Sequence, residues 1–203
     1  FLPQNAPILY MHGAFGKRLK PDDRVKQLFD KQRATLSLGY IGLYEVASVF
    51  YGGEWEKNKE AKDFTLDIMK YMKQCVDKWT SEGDYWYSIY STPSESLTDR
   101  FCRMDTEKFG MVENVTDKEY YTNSYHYDVR KNPTPFEKLD FEKDYPYYAS
   151  GGFIHYCEYP VLKQNPKALE AVWDFAYDKV GYLGTNTPID RCYNCNFEGE
   201  FEP

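Results

Sequence analysis

From Glu56 to Thr80 the chain runs without a glycine or a proline. Within it Ala61, Phe64, Leu66, Ile68, Met69, Met72, Cys75, Val76 and Trp79 recur at the three-, four- and seven-residue spacings of a helical face. A helix of that length needs a partner surface, because its apolar stripe has to be buried against another layer. Strand patterns stand on either side of it. Ala34 to Leu38, with Thr35 and alternating Leu36 and Leu38, reads as a short strand, and the aromatic run Tyr85 to Tyr90 with Ile89 reads as another. Strands separated by helices predict an α/β arrangement with some parallel pairing.

The same reading predicts helices over Asp22 to Lys31, where Val25, Leu28 and Phe29 follow Pro21 and Asp22, and over Thr134 to Phe141 between Pro-bearing stretches. Asn165 to Tyr177 predicts an amphipathic helix with Pro166 near its start and Leu169, Val172, Trp173 and Ala176 on one face. Tyr120 to Val129 and Gly152 to Tyr159 predict two further strands. The strongest apolar stretch, Leu36 to Phe50, is broken by Ser37, Glu45 and Ser48 and falls short of the roughly 18 uninterrupted apolar residues of a membrane span. A soluble chain is expected.

With 203 residues the chain suits one domain, or one domain and an appendage. A hydrophobic fraction of 42% rules out intrinsic disorder. The excess of 32 acidic over 25 basic residues, spread without a basic run, speaks against a module that wraps nucleic acid. A single phosphorylated small molecule stays open, since local donors rather than net charge hold such a ligand. The opening Phe-Leu-Pro-Gln has neither an initiator Met nor a signal layout, and Glu-Phe-Glu-Pro closes just after a cysteine pair, so a piece of a longer protein is expected. Cys75, Cys102 and Cys157 are scattered singly in an odd total of five, which favours a reducing compartment over a disulfide framework.

The most informative short motif is Tyr90-Ser91-Thr92-Pro93-Ser94-Glu95-Ser96, where a strand hands over directly to a helix. Thr92 suits the N-cap, Pro93 the first helical position and Glu95 the third, a capping box. The unpaired amides of Ser94, Glu95 and Ser96 would then face outward at the positive end of the helix, where a phosphate can be held with the help of the hydroxyls. The plain alternative is a well-capped helix. Upstream, Gly39-Tyr40-Ile41-Gly42 puts two glycines three apart, which allows close backbone approach to a neighbour or ligand. In Tyr121-Thr122-Asn123-Ser124-Tyr125-His126, a strand would place His126 with Thr122 and Ser124 on one face and Asn123 on the other, either lining a polar pocket or forming an interior ladder. His155 and Cys157 share a strand face but lack a third partner for nucleophile chemistry.

Cys192-Tyr193-Asn194-Cys195 supplies two thiolates at a tight turn, half of a tetrahedral zinc set. A thioredoxin-type redox pair would instead sit between a strand and a helix. There is no Walker-type loop, dinucleotide fingerprint or His-Glu-x-x-His helix.

Four segments together, residues 37–45 (Ser-Leu-Gly-Tyr-Ile-Gly-Leu-Tyr-Glu), 90–103, 115–126 and 184–190 before Cys192, resemble the anaerobic ribonucleoside-triphosphate reductases, the class III glycyl radical enzymes. The resemblance runs along nearly the whole chain. It implies the second half of a ten-stranded α/β barrel over residues 1–187 and the start of a truncated zinc-ribbon-like segment over 188–203. It implies that Ser91, Thr92, Pro93, Ser94, Glu95 and Ser96 receive the substrate phosphates, that the Gly39 to Gly42 turn borders the barrel interior, and that Cys192 and Cys195 are two of four zinc ligands; Gly39, Gly42, Asn123 and His126 are the candidate pocket-lining residues. The family's reaction removes the ribose 2′-hydroxyl of a ribonucleoside triphosphate by radical chemistry, commonly with formate as reductant. A glycyl radical is installed by a separate activase that carries an iron–sulfur cluster and uses S-adenosylmethionine. By the same resemblance the radical cysteine and glycine lie outside this sequence, the fragment alone is inactive, and the complete protein is a cytoplasmic homodimer with no membrane or direct nucleic-acid partner. Gly181-Tyr182-Leu183-Gly184 imitates the radical motif, but Val180 stands where a cysteine belongs. Two competing readings are a stand-alone phosphate or nucleotide binder with a zinc-ribbon tail, and another glycyl radical enzyme whose substrate lacks phosphates.

Overall fold

The structure, a computed structural model, describes residues 1–91, 94–160, 162–187 and 190–199. It divides into two units, Phe1–Leu38 with Tyr71–Ile89, and Gly39–Lys70 with Tyr90–Pro203.

In the first unit a short helix α1 (Pro7–Tyr10) starts on a proline and packs Tyr10 with Leu19, Val25 and Leu28 into a small core. The helix expected over Asp22 to Lys31 is a single 3-10 turn, Val25–Leu28. Two causes shorten it. The Asp23 carboxylate is engaged by the Lys20 amide at 2.7 Å instead of capping the turn, and Lys31 and Gln32 both adopt positive φ, which ends any helix. Strand β1 (Thr35–Gly39) lies beside β2 (Trp86–Ser91), with the Ser37 and Ser88 hydroxyls 3.1 Å apart.

The long periodic segment is helix α3 (Lys59–Glu82), which belongs to both units. It begins later than Glu56 because the Asn58 side chain accepts the amides of Glu60 and Ala61, capping it there. Its Ala61, Met69 and Val76 are fully buried, while Trp79 is 43% exposed.

The second unit contains α2 (Leu43–Tyr51), α4 (Glu95–Phe109), α5 (Pro135–Glu142) and α6 (Pro166–Ala176). The end of β2 pairs in parallel with β3 (Gly152–Phe153), Tyr90 against Gly152 and Ser91 against Phe153. A second parallel pair joins β4 (His155–Glu158) to β5 (Leu183–Asn186), and a hairpin of β6 (Asp190–Arg191) and β7 (Glu198–Gly199) closes the described chain. The strand expected over Gly152 to Tyr159 is therefore split at Ile154 between two sheets. A mixed α/β fold with parallel pairing is what the alternation of patterns predicted.

No strand forms over Tyr120 to Val129. Ser124 sits at φ +39°, which breaks the alternation, and Thr122, Ser124, Tyr125 and His126 are all buried rather than every second residue. The aromatic content of this segment serves packing instead. Tyr125 stacks on Tyr145 with ring centroids 5.3 Å apart, and Trp55 meets Phe141 edge-on at 4.9 Å and donates to Thr65 at 3.2 Å. On the other side Leu139, Cys157, Tyr159, Val172 and Ala176 form a second cluster, each such large apolar side chain contributing about 1.5–3 kcal/mol on burial. Trp173 stays half exposed, since it lies one residue, about 100° of helix, away from buried Val172. Helix α5 opens with a capping box in which Thr134 and Glu137 exchange hydrogen bonds. Among the described residues no helix is long and apolar enough to cross a membrane.

Candidate functional site

In parallel α/β sheets the carboxyl ends of the strands are where ligands are received, because loops there lead into helix N-termini. Two such ends converge in the second unit. Gly39 at the end of β1 leads through Tyr40 and Ile41 to Gly42, which takes φ +81° as the N-cap of α2. Ser91 ends β2, and α4 begins at Glu95 with Ser94 as its N-cap. The cap is thus Ser94 rather than Thr92, and Glu95 is the first helical residue rather than the third. Thr92 and Pro93 lie outside the described residues, as does the Glu95 side chain.

The two turns are tied together. Ser91, fully buried, donates its hydroxyl to Tyr40 Oη at 2.7 Å. Ile41 and Asn123 form an antiparallel bridge, and the Gly42 amide donates to the Thr122 carbonyl at 2.8 Å. Asn123 then reaches across to α4, its Oδ1 accepting the Ser94 amide at 2.7 Å. Of the three amides expected to be free, that of Ser94 is therefore occupied, while those of Glu95 and Ser96 stand in the first helical turn, where no preceding helix carbonyl exists to receive them. A cavity of about 670 Å³ opens here, lined by Gly39, Tyr40, Gly42, Glu45 and Ser94 among others.

Glu45 and Lys118 are the residues sequence reasoning missed. Both side chains are almost wholly buried, Glu45 lines the cavity, and its Oε1 accepts from Lys118 Nζ at 2.5 Å, the Thr122 amide at 2.8 Å and the Thr122 hydroxyl at 2.9 Å. The available signal was a glutamate inside the apolar run Leu36 to Phe50.

His126 is placed elsewhere. It lines a second cavity of about 700 Å³ with Asn123, Lys138, Cys157, Glu158 and Asn186, the last two at the carboxyl ends of β4 and β5. Behind it lies a charged cluster centred on Glu142, which is fully buried. Its Oε1 accepts the Tyr127 amide at 2.8 Å, pairs with Lys138 and lies 3.3 Å from His126 Nδ1, while His155 Nδ1 is 2.6 Å from Oε2. Burial pushes the Glu142 carboxyl up, but His126, Lys138 and His155 outweigh it and hold the group well below the ordinary carboxylate range. His155 Nε2 is 3.1 Å from Cys157 Sγ, so Glu142 is the third partner the sequence did not reveal. Burial nevertheless pushes the Cys157 thiol up, and a protonated thiol packed against Leu139 and Val172 is a poor nucleophile.

Cys192 and Cys195 sit in the turn of the β6–β7 hairpin. The Cys192 amide donates to Phe197 O and the Asn196 amide to Cys192 O, both at 2.8 Å, with Asn196 at φ +56° closing the turn. The backbone amides of Cys195 and Asn194 point at the Cys192 sulfur and hold its thiol below the usual value. That is the environment a metal-ligating thiolate needs. Among the described residues no third Cys, His, Asp or Glu joins them.

The fold and this geometry define an α/β protein with a cavity-lining helix start at the carboxyl ends of its strands and a two-cysteine hairpin turn. The family model for anaerobic ribonucleoside-triphosphate reductase matches residues 1–203, and the chain belongs to that family. It is 56% identical over 198 residues to the anaerobic ribonucleoside-triphosphate reductase of Haemophilus influenzae and 54% to that of Escherichia coli, covering 97% of this chain and 28% of each relative. The enzyme of bacteriophage T4 is 46% identical, with 98% of this chain and 31% of the relative covered. The chain thus spans less than a third of the length of these relatives. Its fold is similar to that of the Thermotoga maritima anaerobic ribonucleotide reductase crystallised with MES in the active site, with a TM-score of 0.67 at 20% identity over 84% of this chain and 29% of that one. The same enzyme in complex with dATP and CTP gives a TM-score of 0.56 at 18% identity, over 84% of this chain and 28% of that one.

Proposed function

We propose that this chain is the part of an anaerobic ribonucleoside-triphosphate reductase that receives the substrate's phosphates. The observation carrying the proposal is the bond from the Ser94 amide to Asn123, which fixes the start of α4 where Ser94 and Leu97 line an open cavity, with the Glu95 and Ser96 amides in the turn between them. A triphosphate placed there meets preorganised donors and the positive end of a 15-residue helix. The residues of this chain bind and orient the substrate, and the walls around it keep water away. Removal of the ribose 2′-hydroxyl belongs to the complete protein, whose radical cysteine and glycine have no counterpart assigned here.

On the same reading residues 1–187 form half of a ten-stranded barrel and 188–203 begin the zinc-binding segment; the parallel pairs β2–β3 and β4–β5 support the first part. Zinc would be held by Cys192 and Cys195, whose amide-stabilised turn fits a thiolate pair, together with ligands from outside this chain, and would brace the hairpin. The activase, formate, a homodimeric assembly and a cytoplasmic setting follow from the family reading.

A pair of variants in the full-length protein tests the phosphate site. Glu95→Pro and Glu95→Ala both lose the carboxylate, but only the proline removes the amide, at a helical position that tolerates it. CTP affinity is expected to be about tenfold weaker in the proline variant than in the alanine variant. Equal affinities would reduce the motif to a capped helix.

A further inference from the structure

We propose that Glu45 is a second substrate contact in the same cavity, its Oε2 accepting a hydrogen bond from a sugar hydroxyl of the bound ribonucleoside triphosphate. The inference rests on the reading of the α4 start as the phosphate site.

The two oxygens of Glu45 are treated differently. Oε1 is crowded by three donors, two from Thr122 and one from Lys118, whereas Oε2 is buried and has no hydrogen-bond partner. A carboxylate oxygen left without a donor is costly inside a protein, so a group retained in that state is suited to a donor brought by a ligand. Glu45 is 4% exposed and lines the cavity with Gly42 and Ser94. Gly42 keeps the approach clear: a Cβ on it would stand 3.3 Å from Oε2.

Placement and charge select the kind of donor. Glu45 holds Thr122, and the next residue, Asn123, holds Ser94, so the free oxygen and the helix start belong to one hydrogen-bonded run with consecutive Cα atoms about 3.8 Å apart. An ionised phosphate offers only acceptors and has nothing to give Oε2. The sugar next to it offers hydroxyl donors. Lys118, paired to Oε1, neutralises the carboxylate and lets it stand near a polyanion.

The test is competition against labelled CTP on the full-length protein, using 2′,3′-dideoxy-CTP and inorganic triphosphate. With the wild-type protein the dideoxy nucleotide should compete about tenfold less well than CTP. In Glu45→Gln that difference should shrink below about threefold, because the amide offers no full acceptor charge, while inorganic triphosphate competes equally with both proteins. Glu45→Asp, whose shorter side chain draws the free oxygen back from the cavity, should shrink it in the same way and serves if the glutamine variant fails to fold. A hydroxyl effect of undiminished size in the variants, or none in the wild type, overturns the Glu45 contact. Failure of inorganic triphosphate to compete with the wild type overturns the phosphate reading instead.

Discussion

Asn123 Oδ1 accepts the Ser94 amide at 2.7 Å, so a residue of the segment after α4 determines how α4 begins. The bond withdraws one amide from the helix start and fixes the direction of the next two. It predicts a separation of stability from binding. Asn123→Ala should lower stability by about 1 kcal/mol and weaken triphosphate binding, since the helix start loses its anchor. Asn123→Asp keeps an acceptor and should stay near wild-type stability, yet it should weaken triphosphate binding at least as much by placing a negative charge beside the phosphates. Chemical denaturation and equilibrium binding, run on both variants, check the two arms.

Glu142 makes stability depend on acid. Its folded carboxyl is held well below the ordinary 4.5 by His126, Lys138 and His155, so the unfolded chain binds the proton more readily. The contribution is complete above about 4.5 and is lost as the pH falls through the depressed folded value. Glu142→Gln should remove that acid-linked component and, by leaving the Lys138 ammonium buried without its partner, cost about 3–5 kcal/mol at neutral pH. Denaturation midpoints from neutral to acidic pH for both proteins measure the difference, which should narrow as the pH drops.

The cysteines should react in a definite order. The amides of Cys195 and Asn194 favour the Cys192 thiolate, whereas burial disfavours ionisation of Cys102 and Cys157. Iodoacetamide at neutral pH without metal should label Cys192 ahead of Cys102 and Cys157, which should resist until denaturant is added. Zinc added to the full-length protein should protect Cys192 and Cys195. Peptide mass spectrometry reads all of this, and rapid native labelling of Cys157 would contradict the placement of its thiol.

Periodicity made α3, α5, α6, β1 and β2 legible, because each carries its own apolar spacing or cap. Tyr120 to Val129 was misleading for a physical reason: aromatic and polar residues alternate there, but Ser124 turns through positive φ and the segment packs as an irregular wall. The motif at Ser91 to Ser96 marked the strand-to-helix turn, while its cap position depended on Asn123, a contact no local pattern encodes. His126 and Gly42 were both singled out, yet they line different cavities. Glu45 with Lys118, and Glu142 with His155, became visible only as pairs brought together by folding. A single acidic residue in an apolar run does not name its partner.

We place the substrate triphosphate on the turn at the start of α4, and a crystal structure of the full-length protein with bound CTP is the decisive measurement. Phosphate oxygens within about 3 Å of the Glu95 and Ser96 amides are the expected result. A triphosphate ordered elsewhere, with that turn facing only protein or solvent, would contradict it.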